Sequence, residues 1–261
     1  MKLLYPRCSG LDVHKETIVA CVRVMQGRRI KSEVRGFSTT TRGILELSDW
    51  LSISKCTHVA MEATGVFWKP VWHVLAPSFE LILANPAHIK NVPGRKTDVK
   101  DAEWIADLLA HGLISASFVP PEPIQHLRDL TRTRKQVSRE IVQHTQRIQR
   151  VLTEANVRIT SVLSDTLGDT GRRILNALIA GETDSQSLAK LRDYRVHASE
   201  EKLAEALQGT VTDHHRFLLR QHLQIIEMLE GSLREFDSQI DEMISPFRER
   251  HIPLTPVAIW A

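Results

Sequence analysis

A proline-rich break at residues 120–123 (PPEP) divides the chain into two parts with different hydrophobic patterns. Before the break, β-branched and apolar runs alternate with segments of helical spacing, which is typical of an α/β domain. After it, apolar residues recur every three or four positions, and almost no β-like run is found. The sequence therefore predicts an α/β domain over residues 1–119 and a mostly helical region over residues 120–250.

The composition is that of a globular protein outside the membrane. Hydrophobic residues make up 42% of the chain and charged residues 25%, and no apolar run reaches the length of a membrane span. The three cysteines, Cys8, Cys21 and Cys56, are odd in number and lack the spacing of metal ligands. We therefore expect a cytoplasmic protein with reduced thiols. Aromatic residues, at 5%, are too sparse to favour a stacking platform for single strands.

Five β-like runs are predicted before the break. They span Cys8–Val13, Thr17–Val24, Arg28–Phe37, Thr57–Met61 and Glu80–Ala84. The first three follow one another directly, and helical segments separate the last two from what precedes them. Three strands in a meander followed by alternating helices and strands predict a mixed sheet flanked by helices.

Two carboxylates are predicted to share one face at the start of a helix. Asp98 and Asp101 lie about 60° apart on a helix that turns 100° per residue, and the same face continues into Ile105 and Leu108. We therefore expect both acids to point into the fold. Two anions held there repel each other and lose hydration unless a cation lies between them. Alternatively, they are the acids that often complement the dipole in the first turn of a helix.

Two more acids are expected at the same edge of the sheet. Asp12 ends the first predicted strand and Glu62 follows the fourth, and α/β folds place their sites where strands end and helices start. Four converging carboxylates would bind two divalent cations, Mg²⁺ or Mn²⁺, because hard oxygen ligands favour these ions over Zn²⁺. Each acid also has a simpler explanation: Asp12 as a turn residue, Glu62 as a solvated strand end and Asp98 as a helix cap.

A long amphipathic helix with a basic surface is predicted after the break. Between residues 122 and 158, eight Arg and Lys residues stand against four acids. Such an excess indicates either a solvated helix face or a contact with nucleic-acid phosphates. With two lysines beside the acidic motif, the predicted nucleic-acid-binding residues are Lys96, Lys100, Arg128, Arg132, Arg134, Lys135, Arg139, Arg147 and Arg150.

A second long helix is predicted from Leu218 to Phe247, and its surface is more acidic. Its apolar seam is expected to begin with Leu218, His222, Ile225 and Leu229. The basic and acidic helices can complement each other, so we expect an antiparallel, coiled-coil-like pair through which the protein also forms homo-oligomers.

Three sequence blocks resemble the signature of bacterial insertion-sequence transposases of the DEDD class. The blocks are Gly10-Leu11-Asp12-Val13-His14-Lys15, Met61-Glu62-Ala63-Thr64-Gly65, and Asn85-Pro86 with Lys96-Thr97-Asp98-Val99-Lys100-Asp101-Ala102. The resemblance covers residues 8–115 and extends in general character through the helical region. It implies a RuvC-like domain with a ribonuclease H fold, metal-dependent DNA recombination, and catalytic acids at Asp12, Glu62, Asp98 and Asp101. Some members of the family are guided by a structured RNA, so DNA and a guide RNA are the expected partners.

The family continues into a second catalytic domain that carries a nucleophilic serine. Residues 251–261 resemble the opening of that domain, although Thr255-Pro256-Val257-Ala258 replaces a typical Pro-Gly-Val-Gly turn. We therefore expect a transposase truncated before its serine domain, which could leave this chain inactive. Two alternatives stay open: a stand-alone RuvC-like nuclease or resolvase, for which the four acids suffice, and a catalytically dead nucleic-acid-binding remnant.

Overall fold

The computed structural model describes residues 3–27, 29–63, 65–91 and 101–249. The chain divides into two compact units, Met1–Val119 and Pro120–Ala261. Within the described ranges, no helix is both long and apolar enough to cross a membrane.

The first unit is built on a five-stranded mixed sheet. Its strands are β1 (Arg7–Val13), β2 (Thr17–Gln26), β3 (Arg29–Ser38), β4 (His58–Glu62) and β5 (Glu80–Ala84). The first three strands form an antiparallel meander, and β4 and β5 continue from β1 in parallel, so the strand order is β3-β2-β1-β4-β5. The predicted mixed sheet is confirmed, with strand ends within two residues of those expected.

Helices cover both faces of this sheet. The helices of the first unit are α1 (Thr41–Ile53), α2 (Trp68–Leu75), α3 (Pro86–Asn91) and α4 (Asp101–Ala110). Because side chains alternate along a strand, β1 contributes to two cores. Leu11 and Val13 belong to the core formed with α1 and α2, whereas Cys8 belongs to the core formed with α4.

The second unit is helical. It contains α5 (Glu122–Glu154), a 3₁₀ turn (Ile159–Ser161), α6 (Asp169–Ala180), α7 (Ser185–Ala189), α8 (Glu200–Leu207) and α9 (Asp213–Glu249). The long helices α5 and α9 run antiparallel, because Arg134 pairs with Asp237 while His144 contacts His222 further along α5. Both long helices were expected, and α9 begins five residues earlier than Leu218.

The predicted seam of α9 is wrong by one position over its first half. Its most buried residues are Leu219, Leu223, Ile226 and Leu229, whereas Leu218, His222 and Ile225 are half-buried. The reason is that α9 contacts α6 as well as α5, and the core of this unit draws on all three helices. Because α9 packs against two helices, its buried face is rotated relative to the face that would pack against α5 alone.

Candidate functional site

Helix α4 lies directly on strand β1 at Gly10. A Cβ atom at this position would lie 2.3 Å from the amide nitrogen of Ala106 and 2.4 Å from the carbonyl oxygen of Ala102. Next to this contact, Sγ of Cys8 lies 3.6 Å from the carbonyl oxygen of Ala106. The absence of a side chain at Gly10 therefore brings the backbones of α4 and β1 together.

Asp12 and Glu62 lie on the sheet face that α4 covers. Asp12 comes two residues after Gly10 on β1, and Glu62 comes two residues after Ala60 on β4, which packs in the α4 core. The parallel register pairs Leu11 with Met61, so the two acids are the next neighbours along these strands. Since adjacent strands lie about 4.8 Å apart, the backbone positions that carry the two acids are neighbours at the carboxyl edge of the sheet.

The start of α4 lies toward the same edge. Before β1, the amides of Leu4 and Tyr5 donate to the carbonyl of Ala110 at the end of α4, whereas Gly10 contacts Ala102 and Ala106, so helix and strand run in opposite directions. Asp101 is the first residue of α4 and therefore lies toward the end of β1 that carries Asp12. We call the carboxyl ends of β1 and β4 together with the first turn of α4 the acidic edge.

Asp101 does not point into the core as expected. It is exposed, whereas Ile105 and Leu108 on the same predicted face are fully buried. The helix turns Ala102 and Ala106 toward β1, whereas Asp101, its first residue, is exposed. Asp98, Lys96 and Lys100 lie outside the described residues. Within the described ranges, no group of three or more His, Cys, Asp or Glu side chains lies close enough together to bind a metal ion.

His14 is a residue of this edge that sequence reasoning left without a role. Its Nε2 atom lies 3.1 Å from Oδ2 of Asp12, whose side chain is 20% exposed, whereas that of His14 is 60% exposed. Two hydrogen bonds hold the turn that carries His14. The amide of His14 donates to the carbonyl oxygen of Thr17, and the hydroxyl of Thr39 donates to the carbonyl oxygen of Lys15. His14 comes two residues after Asp12, and residues two apart in an extended segment point to the same side. This spacing could have identified the pair from the sequence.

The predicted nucleic-acid-binding residues that are described lie along α5. Arg132, Lys135, Arg139, Arg147 and Arg150 are exposed, and Arg128 and Arg134 are half-buried. Some of their guanidinium groups have protein partners, since Arg150 pairs with Glu154 on the same helix and Arg134 pairs with Asp237 on α9. Arg134 therefore contributes to the contact between the two helices.

Comparison with known proteins identifies the family. A family model of transposases, the DEDD transposases of the IS110 type, matches residues 9–157. No curated protein matches the chain. Among solved structures, the chain has a slight similarity to a crystal structure of the Aquifex aeolicus member of the Ppx/GppA protein family, with 11% identity, a TM-score of 0.23, and coverage of 86% of this chain and 98% of that one. The matched family segment spans more than half of the sequence and includes the three blocks around Asp12, Glu62 and Asp101, so the chain belongs to the family of DEDD transposases of the IS110 type.

Proposed function

We propose that this transposase cuts and joins DNA by metal-dependent phosphoryl transfer at the acidic edge. The observation that carries the proposal is the position of Asp12 and Glu62 as neighbours on adjacent parallel strands, on the face that α4 covers. Asp101 at the start of α4 and Asp98 just before it complete the set of four acids. A ribonuclease H-like, RuvC-type fold is part of the proposal, and the strand order β3-β2-β1-β4-β5 with an antiparallel meander supports it.

The donor set at the acidic edge fits a hard divalent cation. Its groups are carboxylates, and oxygen ligands of this kind favour Mg²⁺ or Mn²⁺. Asp12 and Glu62 would hold the ions from the sheet, Asp101 would hold them from the first turn of α4, and Asp98, three residues earlier in the sequence, would complete the set. When bound, such ions supply an activated nucleophile and stabilise the leaving oxygen of a phosphodiester.

The protein groups at this edge position the reacting phosphate and the ions. Asp12 accepts a hydrogen bond from His14 through Oδ2, and this bond does not use its Oδ1. Hydrogen bonds of this kind orient a metal-binding carboxylate. The close contact of α4 with Gly10 constrains the distance between Asp101 and the acids of the sheet.

DNA is the proposed substrate, and α5 is its proposed contact surface. Exposed cations along this helix, such as Arg132, Arg139 and Arg147, can contact phosphates without reading sequence. The family resemblance adds a structured guide RNA as a second nucleic acid. The long helices are also the proposed surface for self-association of the protein.

Cleavage tests the acidic edge. The purified chain is incubated with supercoiled plasmid DNA and Mg²⁺, and nicked, linear and joined products are separated by electrophoresis. We expect product from the wild type and none from Asp12→Asn or Glu62→Gln. A matched control is Glu80→Gln, which removes an exposed strand-end acid at the opposite edge of the sheet. Cleavage by Asp12→Asn at the wild-type rate would refute the proposed site.

Metal binding is tested separately from cleavage. Mg²⁺ or Mn²⁺ should raise the melting temperature by mass action, and the double change Asp98→Asn with Asp101→Asn should abolish that rise. Glu80→Gln again serves as the control. An unchanged metal response in the double variant would show that these acids do not bind the ion.

Binding to DNA tests the basic helix. Replacing Arg132, Arg139 and Arg147 with Gln should weaken binding to all sequences and make it less dependent on salt. A control with the same change in charge replaces three exposed cations outside α5: Arg173, Lys190 and Arg192. Equal losses in the two triple variants would show that α5 has no special role.

A stand-alone nuclease or resolvase is the second candidate. It is favoured by the fact that the proposed acids all belong to the first unit. The cleavage assay, repeated with branched DNA, separates the two functions, because a resolvase yields nicks or cuts without joined products.

A further inference from the structure

Two histidines and an arginine form a hydrogen-bonded row across α5 and α9. Nδ1 of His144 lies 3.1 Å from Nδ1 of His222, and the two rings meet at 67°. On the other side of its ring, Nε2 of His144 lies 3.2 Å from Nη1 of Arg147. Both imidazoles are half-buried, and the row lies one helical turn from the fully buried Ile148.

The position of each hydrogen in this row follows from Arg147. A guanidinium group can only donate, so Nε2 of His144 must accept and its hydrogen must reside on Nδ1. That Nδ1–H then donates to Nδ1 of His222, which leaves the hydrogen of His222 on its Nε2. Both rings are therefore neutral in this arrangement.

A proton added to either ring breaks one of the two hydrogen bonds. On His222, it would occupy Nδ1, where it would face the N–H group of His144. On His144, it would occupy Nε2, where it would face the guanidinium of Arg147. Protonation of Nε2 of His144 becomes favourable when Arg147 turns away. The resulting imidazolium still donates its Nδ1–H to His222, and its positive charge strengthens that hydrogen bond.

The charges around the pair favour the neutral state in the free protein. Burial lowers the pKa of both imidazoles, Arg147 lowers it further, and only Glu140 opposes these effects at His144. On α9, His222 is the group that faces His144. Helix α6, which also contacts α9, contributes Arg172, but its guanidinium is paired with Glu230.

We propose that this row links nucleic-acid binding on α5 to the uptake of one proton by the histidine pair, an inference that rests on the proposed function. Arg147 has two competing partners: the lone pair of His144 and a phosphate. A phosphate that draws Arg147 away frees Nε2 of His144 and brings negative charge close to it, so His144 takes up a proton. Because linkage is reciprocal, lowering the pH must strengthen nucleic-acid binding through the same residues.

The test is the pH dependence of binding by the full chain. The probe is a fluorescently labelled DNA duplex of random sequence, and its dissociation constant is measured by anisotropy from about pH 8 to about pH 5.5, the range in which imidazoles titrate. In the wild type, one linked proton contributes a tightening of up to about tenfold per pH unit. The double variant His144→Gln with His222→Gln should lose that contribution. The control is His126→Gln, which removes an exposed histidine from the same helix and should keep the wild-type slope.

A direct count of protons completes the test. Titration calorimetry in two buffers of different ionisation enthalpy should show uptake of about one more proton in the wild type than in the double variant. Arg147→Gln leaves both rings in place and should also lose the linked proton. This variant therefore tests the inference even if the double histidine variant does not fold. Equal slopes and equal proton counts in the wild type, Arg147→Gln and the double variant would overturn the inference while leaving DNA binding intact. Absence of DNA binding by every variant would overturn the proposed function as well.

Discussion

Gly10→Ala tests the packing on which the acidic edge depends. The new Cβ atom would lie 2.3 Å from the nitrogen of Ala106, 2.4 Å from the oxygen of Ala102 and 2.9 Å from the carbonyl carbon of Ile105. These are backbone atoms of a helix, so no side-chain rotation relieves the clash. To reach an ordinary contact of 3.4 Å or more, α4 must move away from β1 by about 1 Å.

The expected cost is large for a single methyl group. Overpacking of a close-packed core costs about 1–3 kcal/mol, and this site belongs at the upper end because Ala102, Ile105 and Ala106 are all fully buried. We therefore expect the free energy of unfolding to fall by about 3 kcal/mol, as measured by urea denaturation. DNA cleavage should fall further than the loss of stability explains, because the helix that carries Asp101 is displaced.

Gly36→Ala is the matched control. Gly36 lies in strand β3 of the same sheet, and a Cβ atom there would have no neighbour within 4 Å. We expect its free energy of unfolding to change by less than about 1 kcal/mol, in the stabilising direction. Equal stabilities of the two alanine variants would refute the close contact of α4 with β1, and with it the argument that brings Asp101 toward Asp12.

Three further predictions concern the first unit. Thr40→Ala removes the side-chain oxygen that caps α1 and should lower the free energy of unfolding by about 1 kcal/mol in urea denaturation. Ser9→Ala should raise it by about 1 kcal/mol, because the buried hydroxyl has no hydrogen-bond partner among the described residues; a loss of stability would indicate a partner for it. Burial raises the pKa of Cys8 and Cys56 to about 12 and that of Cys21 to about 11. Since these values lie above the ordinary thiol pKa of 9.0, the unfolded chain releases protons first, and stability should fall as the pH rises above about 9, which denaturation at two pH values would detect.

Much of the secondary structure could be predicted because it depends on local pattern. The β-branched run that begins at Thr17 and the apolar run from Glu80 to Ala84 have the residues and lengths of strands, and both form them. The helical spacing after residue 122 likewise predicted the long helix α5. These features depend on the periodicity of helices and strands, which can be recognised in a short segment without knowing what that segment packs against.

The faces of the helices were harder to predict, because they depend on neighbours distant in sequence. Asp101 shares a helical face with Ile105 but is the first residue of α4, and it is exposed. On α9, contact with α6 as well as α5 moves burial from Leu218 to Leu219. The spacing of apolar residues specifies the apolar face of a helix to within about one residue. Packing against other elements then decides which residues of that face are buried.

The sequence by itself determined the order of the strands along the chain and the acids at the strand ends, because these depend on residue type and spacing. Only the tertiary structure decided that Asp12 and Glu62 are neighbours on the α4 face, since that depends on the parallel pairing of β1 with β4. It also decided that His144 meets His222, a residue 78 positions away in the sequence. Contacts of this kind form where two surfaces fit together, and the local pattern of neither segment contains that information.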